Sequence, residues 1–92
     1  PEELDIVVRE DGSWLVDGMY AVDDFKDTFN IRELPDEHEA GYQTLGGMIM
    51  TMLGRVPVTG NMVQVADYRL EVMDMDGRRV DKVLVVKDTA EG

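Results

Sequence analysis

Between Gly41 and Gly60 the apolar positions Leu45, Met48, Ile49, Met52 and Leu53 recur at spacings of three and four. That is one stripe at helical period, so the segment predicts a helix. Thr44 stands where its hydroxyl can accept from an unpaired first-turn amide. Gly54 suits the left-handed position that ends a helix, and Pro57 lies just beyond it. Gly46 and Gly47 fall in the first turn, where each costs about 1 kcal/mol relative to alanine. Some demand other than helix propensity, such as a close backbone approach, must favour them.

The rest of the chain alternates between two periods. Ile6 to Glu10 and Ser13 to Asp17 are β-prone runs joined by Asp11-Gly12, a tight-turn dipeptide. Val22, Phe25 and Phe29 then share a helix face, with Asp23 and Asp24 in the first turn and an end expected near Asn30. Arg32 to Gly41 is acidic and reads as a loop. Past the long helix, Met62, Val63 and Val65 begin a third strand, and Tyr68, Leu70 and Val72 alternate with Arg69 and Glu71 in a fourth. Asp76-Gly77 turns the chain into a fifth, Arg79 to Lys87. Val80, Val83 and Val85 change parity there, which no regular strand can place on one face, so a bulge is expected near Asp81 and Lys82. Leu84 and Val86 would then occupy the opposite face. The order is β-β-α-α-β-β-β. It predicts an α+β domain, mainly an antiparallel sheet with two helices packed on it.

Ninety-two residues make one domain, 1–92, with flexible tails expected at 1–5 and 88–92. The chain starts at Pro1 and reads as a piece of something longer. It has no cysteine, hence no disulfide and no thiolate metal site. No apolar run reaches the roughly 20 residues of a membrane span. The net charge is −11, with 13 acidic and 3 basic residues before Gly41 and 7 and 6 after it. Such a surface repels nucleic acid and anionic lipid and favours cations and basic proteins.

Catalytic signals are sparse. His38 is the sole histidine and Ser13 the sole serine, with no nucleophile elbow. No phosphate-binding loop is present. Gly46-Gly47 at a helix start could present amides to an anion, or could simply allow close packing. Asp23 and Asp27 share a helix face, where they could hold a weak magnesium or calcium ion or form a solvated acidic surface. Thr44, Gly46, Gly47, Arg55 and Arg79 are the candidate partner or ligand surface. No catalytic or cofactor-binding residue is assigned, and the chain reads as non-catalytic.

Three stretches, DGSWLVDG (11–18), YQTLGGMIMTMLGRVPVTGN (42–61) and YRLEVMDMDGRRVDKVLV (68–85), occur in an order and at separations that together resemble one family. The chain resembles the CorC/HlyC transporter-associated domain, the C-terminal module of hemolysin-like magnesium/cobalt efflux proteins. Asn61 departs from the family, which often has an acidic residue there. The resemblance implies an α+β fold similar to a subdomain of flavin-binding proteins, without carrying flavin over. It implies a module on the cytoplasmic side of the membrane, partnered by a CBS-domain pair and the transmembrane domain of the same chain, that modulates divalent-cation efflux. A homodimer is a further expectation. The competing reading is a sensor that binds a divalent cation or an adenine nucleotide directly.

Overall fold

The computed structural model describes residues 5–88. Five strands form one antiparallel sheet: β1 (Ile6–Val8), β2 (Trp14–Asp17), β3 (Met62–Val65), β4 (Tyr68–Asp76) and β5 (Arg79–Lys87), in spatial order β1-β2-β5-β4-β3. Three helices intervene: α1 (Val22–Phe29), α2 (Glu37–Ala40) and α3 (Leu45–Leu53). The α+β class stands. The expected tails lie outside the described residues except at their inner ends, where the Asp5 carbonyl accepts from Asp17 N–H and Asp88 N–H donates to the Asp67 carbonyl.

The N-cap of α3 and the C-terminal ends of α1 and α3 follow from local chemistry. Gly47 N–H donates to Thr44 Oγ1 at 3.1 Å, and Gly54 closes α3 at φ +73°. Asn30 ends α1 in the left-handed region, at φ +58°, its N–H bonded to the Lys26 carbonyl. The single turn α2 sits inside the stretch that reads as loop. It buries no residue, so no apolar stripe announces it. Its anchor comes from elsewhere in the chain: Lys26 Nζ on α1 donates to Glu37 Oε2 at 2.6 Å.

The expected bulge is present. Val72 pairs with Val83, Asp74 with Lys82, and Met75 with Val80. Met73 on β4 and Asp81 on β5 therefore have no opposite number. The slip restores parity, and Val80, Val83 and Val85 are all buried on one face. There they join Val16, Leu70 and Val72 beneath Phe25, Phe29, Leu45, Met48 and Ile49. Trp14 stands edge-on to Phe29, with ring centroids 4.9 Å apart, and Tyr68 closes the cluster at 5.0 Å from Phe29.

Candidate functional site

Three stretches of backbone converge at the start of α3. Leu45 N–H donates to the Tyr20 carbonyl (2.9 Å) and Gly46 N–H to the Gly18 carbonyl (2.8 Å). Gly18 N–H donates in turn to the carbonyl of the bulged Asp81, at 2.9 Å. A Cβ on Gly18 would lie 1.9 Å from the Val80 carbonyl oxygen, and one on Gly46 would lie 3.0 Å from Val80 Cβ. Close approach is thus the demand that places a glycine at position 46; a Cβ on Gly47 would meet only Thr44 Oγ1 and Tyr42 Cβ. With Gly47 N–H on the Thr44 hydroxyl and Met48 N–H on the Thr44 carbonyl, every first-turn amide of α3 has a partner within the chain. The amide donors on which an anion or nucleotide-phosphate site at this turn would depend are occupied.

Of the five residues proposed as a partner or ligand surface, Thr44, Gly46 and Gly47 meet in this one turn. Arg79 is next to Val80, whose Cβ a Cβ on Gly46 would meet at 3.0 Å. Arg55 lies beyond the far end of α3, some 13 Å along the helix axis at about 1.5 Å per residue. Both arginines have partners in the chain. Arg55 Nη1 donates to Asn61 Oδ1 at 2.9 Å, and Val58 N–H donates to the same oxygen at 2.9 Å. Arg79 Nη2 meets Asp76 Oδ2 at 3.1 Å across the hairpin turn.

Asp23 and Asp27 stand one turn apart on the exposed side of α1. Lys26 lies between them, its ammonium 3.9 Å from Asp23 Oδ1. Among the described residues no three His, Cys, Asp or Glu side chains gather closely enough to hold a metal ion. Asp23 instead borders an open cleft of about 460 Å³, with Glu37, His38 and Tyr42 among its lining. The Lys26 hydrogen bond holds the Glu37 carboxyl below the ordinary glutamate range, and Glu37 raises Lys26 in return. Burial, reinforced by Glu37 and Asp36, pushes the Tyr42 phenol up, and its hydroxyl donates to the Pro35 carbonyl.

The opposite face of the sheet carries a second set of apolar side chains. Leu15, Leu84 and Val86 are half-buried but contribute nothing to the core, and Val7, Met62 and Met73 are exposed. Its sequence signals are the alternation of Leu84 and Val86 on β5 and of Arg69 and Glu71 on β4.

A five-stranded antiparallel sheet with helices packed on one face, and no element packed on the other among the described residues, defines a small α+β domain. The chain belongs to the CorC/HlyC family: the family profile described as "transporter associated domain" matches residues 7–89. It is 48% identical over 84 residues to a UPF0053 protein of Synechocystis, covering 91% of this chain. It is 39% identical over 85 residues to the polyamine export protein of Escherichia coli K12, covering 92%. The chain spans about a fifth of the length of these relatives (19% of each). Among solved structures it superposes on the CorC_HlyC domain of a Xylella fastidiosa hemolysin in complex with Mg++ and Mn++. That match has a TM-score of 0.80 and 33% identity, covering 91% of this chain and 98% of the other. The CorC_HlyC domain from Nitrosomonas europaea gives 0.81 at 28% identity, covering 94% and 99%. No helix among the described residues is long and apolar enough to cross a membrane.

Proposed function

We propose that this domain is a non-catalytic regulatory and interaction module on the cytoplasmic side of a membrane exporter, where it modulates divalent-cation efflux. Its partners are the CBS-domain pair and the transmembrane domain of the same parent chain. The observation that carries the reading is the family match over nearly the whole described chain. The internal engagement of Thr44, Arg55, Asn61 and Arg79 supports a scaffold over a reaction centre. Its mechanism is differential contact: a domain that docks more tightly in one transport state shifts the balance toward that state. The E. coli relative bears the name of a polyamine exporter, so organic polycations stand beside magnesium and cobalt as cargo. Deleting residues 6–88 from the parent and measuring efflux of magnesium, cobalt and putrescine tests both points. Unchanged transport of all three, with unchanged regulation, would sink the proposal.

A second reading is direct cation sensing at Asp23 and Asp27, favoured by the Xylella domain having been solved with Mg++ and Mn++. Magnesium titration monitored by amide chemical shifts tests it. Saturable shifts on α1 that vanish in Asp23→Asn/Asp27→Asn support the site; shifts that survive the double substitution reject it.

A further inference from the structure

The open face of the sheet has an internal order that its exposure alone does not convey. Cross-strand register aligns Val7, Leu15, Leu84, Glu71 and Met62 in one row across all five strands. The next row along β5 and β4 holds Val86 and Arg69, with Gln64 beyond on β3. The two rows are two residues apart on each strand, about 6.6–6.8 Å. Leu84 and Val86 are therefore neighbours along β5, and Glu71 and Arg69 are neighbours along β4, level with them. Among the described residues neither Arg69 nor Glu71 makes a salt bridge.

We infer that this face pairs with the same face of a second copy of the chain, about a twofold axis that runs across the strands midway between the two rows. That operation sets Leu84 against the partner copy's valine at position 86. It also sets Glu71 against the partner copy's arginine at position 69, and symmetry repeats both contacts. A uniformly basic or acidic partner would meet one member of the Arg69–Glu71 pair with like charge. A second copy in this register satisfies both.

Charge placement points the same way. Two chains of net charge −11 repel wherever acidic surface meets acidic surface, and residues 1–40 carry 13 of the 20 carboxylates. The central strands of the open face carry Arg69 and Lys82 beside Glu71, Asp17 and Asp74, a sum of −1, with Lys82 in register with both aspartates. It is a surface on which two such molecules can meet with little of that repulsion. The extent of the face sets the strength. Five strands about 4.8 Å apart give a patch roughly 24 Å wide and only a few residues deep. That is well short of the ~800 Å² per partner of a standard interface, so the dimer is weak, in the micromolar range or above. The inference does not depend on the cargo or on the regulatory role proposed above.

Sedimentation velocity on the 92-residue chain, from about 5 μM to about 1 mM near physiological ionic strength, tests it. The sedimentation coefficient should rise with concentration toward that of a dimer. Arg69→Glu or Glu71→Arg alone should raise the dissociation constant by about tenfold or more, because each turns two attractive pairs into two repulsive ones. The double exchange Arg69→Glu/Glu71→Arg should restore association. Leu84→Lys should abolish it, with the fold checked by circular dichroism. A chain that stays monomeric throughout, or a dimer indifferent to these changes, overturns the inference, as does a double exchange that fails to restore it.

Discussion

Replacing each of the three glycines Gly18, Gly46 and Gly47 by alanine should separate clearance from propensity. None of the three has a positive φ, so backbone strain does not enter and the added Cβ is the whole perturbation. In Gly18→Ala the new carbon would lie 1.9 Å from the Val80 carbonyl oxygen and 2.7 Å from its carbon. Both are backbone atoms, so strand and turn must part by more than an ångström. Such a shift removes the bonds from Gly18 N–H to Asp81 and from Gly46 N–H to Gly18, now 2.9 and 2.8 Å. Overpacking costs about 1–3 kcal/mol, and each buried group left unpaired about 1–3 more. The expected loss is at least about 3 kcal/mol, a large part of the 5–15 kcal/mol typical of such domains. In Gly46→Ala the contacts are 3.0 Å to Val80 Cβ and 3.1 Å to the Gly18 oxygen. A small adjustment relieves them, and helix propensity returns about 1 kcal/mol, leaving a net loss of roughly 0.5–1.5 kcal/mol. Gly47→Ala meets only the Thr44 hydroxyl at 3.2 Å and Tyr42 Cβ at 3.5 Å. It should be neutral or stabilising by up to about 1 kcal/mol. Urea denaturation followed by Trp14, the only tryptophan, reads all three. If Gly18→Ala fell within about 1 kcal/mol of Gly46→Ala, or the order inverted, the steric argument would be refuted.

Thr44→Ala removes the side-chain acceptor for Gly47 N–H and should cost about 1 kcal/mol in the same urea assay. Asn61→Asp should stabilise by a few tenths to about 1 kcal/mol, because Arg55 and Val58 N–H already converge on Oδ1 and a carboxylate makes both bonds charge-assisted. The gain should shrink at high salt. Glu37 titrates below its ordinary value of 4.5, so its contribution is full above that value and is lost as pH falls through the lower folded one. Hydrogen exchange at Ala40 and Gly41 should accelerate over that acidic window, while Glu37→Gln should show the faster exchange already at neutral pH. Equal rates in the variant and the parent at neutral pH would mean that Lys26–Glu37 does not secure α2.

What could be read before folding was whatever is encoded within a few residues. The stripe, cap and terminating glycine of α3 are local, as is the parity change from Val80 to Val83 that required a bulge at Asp81. The turn α2 was illegible because its anchor, Lys26, is eleven positions before Glu37 and on another helix. Gly46 signalled a close approach, but only the fold shows that the surfaces it meets are Val80 and Gly18. The candidate surface at Thr44 to Gly47 rests on the unpaired amides expected at a helix start. The Gly18 and Tyr20 carbonyls that occupy those amides arrive from a segment more than twenty residues away. The open face was half legible: alternation put Leu84 and Val86 opposite the core, but strand order was needed to align them with Leu15, Glu71 and Arg69.

The placement of β5 between β2 and β4 has a consequence for how the chain acquires its structure. The hairpin β1–β2 comes first in the domain, yet its inner edge pairs only with β5, the last strand among the described residues, Trp14 against Val85 and Val16 against Val83. Until β5 is available, β2 has an open edge and β4 lacks its longest partner. During synthesis the early hairpin and the helices must wait, with Trp14, Val16, Phe25 and Ile49 uncovered, for the end of the domain to emerge. Pairing between strands far apart in sequence is entropically slow. A domain built this way should fold late and as one unit, and cleavage within β5 should release the N-terminal hairpin and split the sheet.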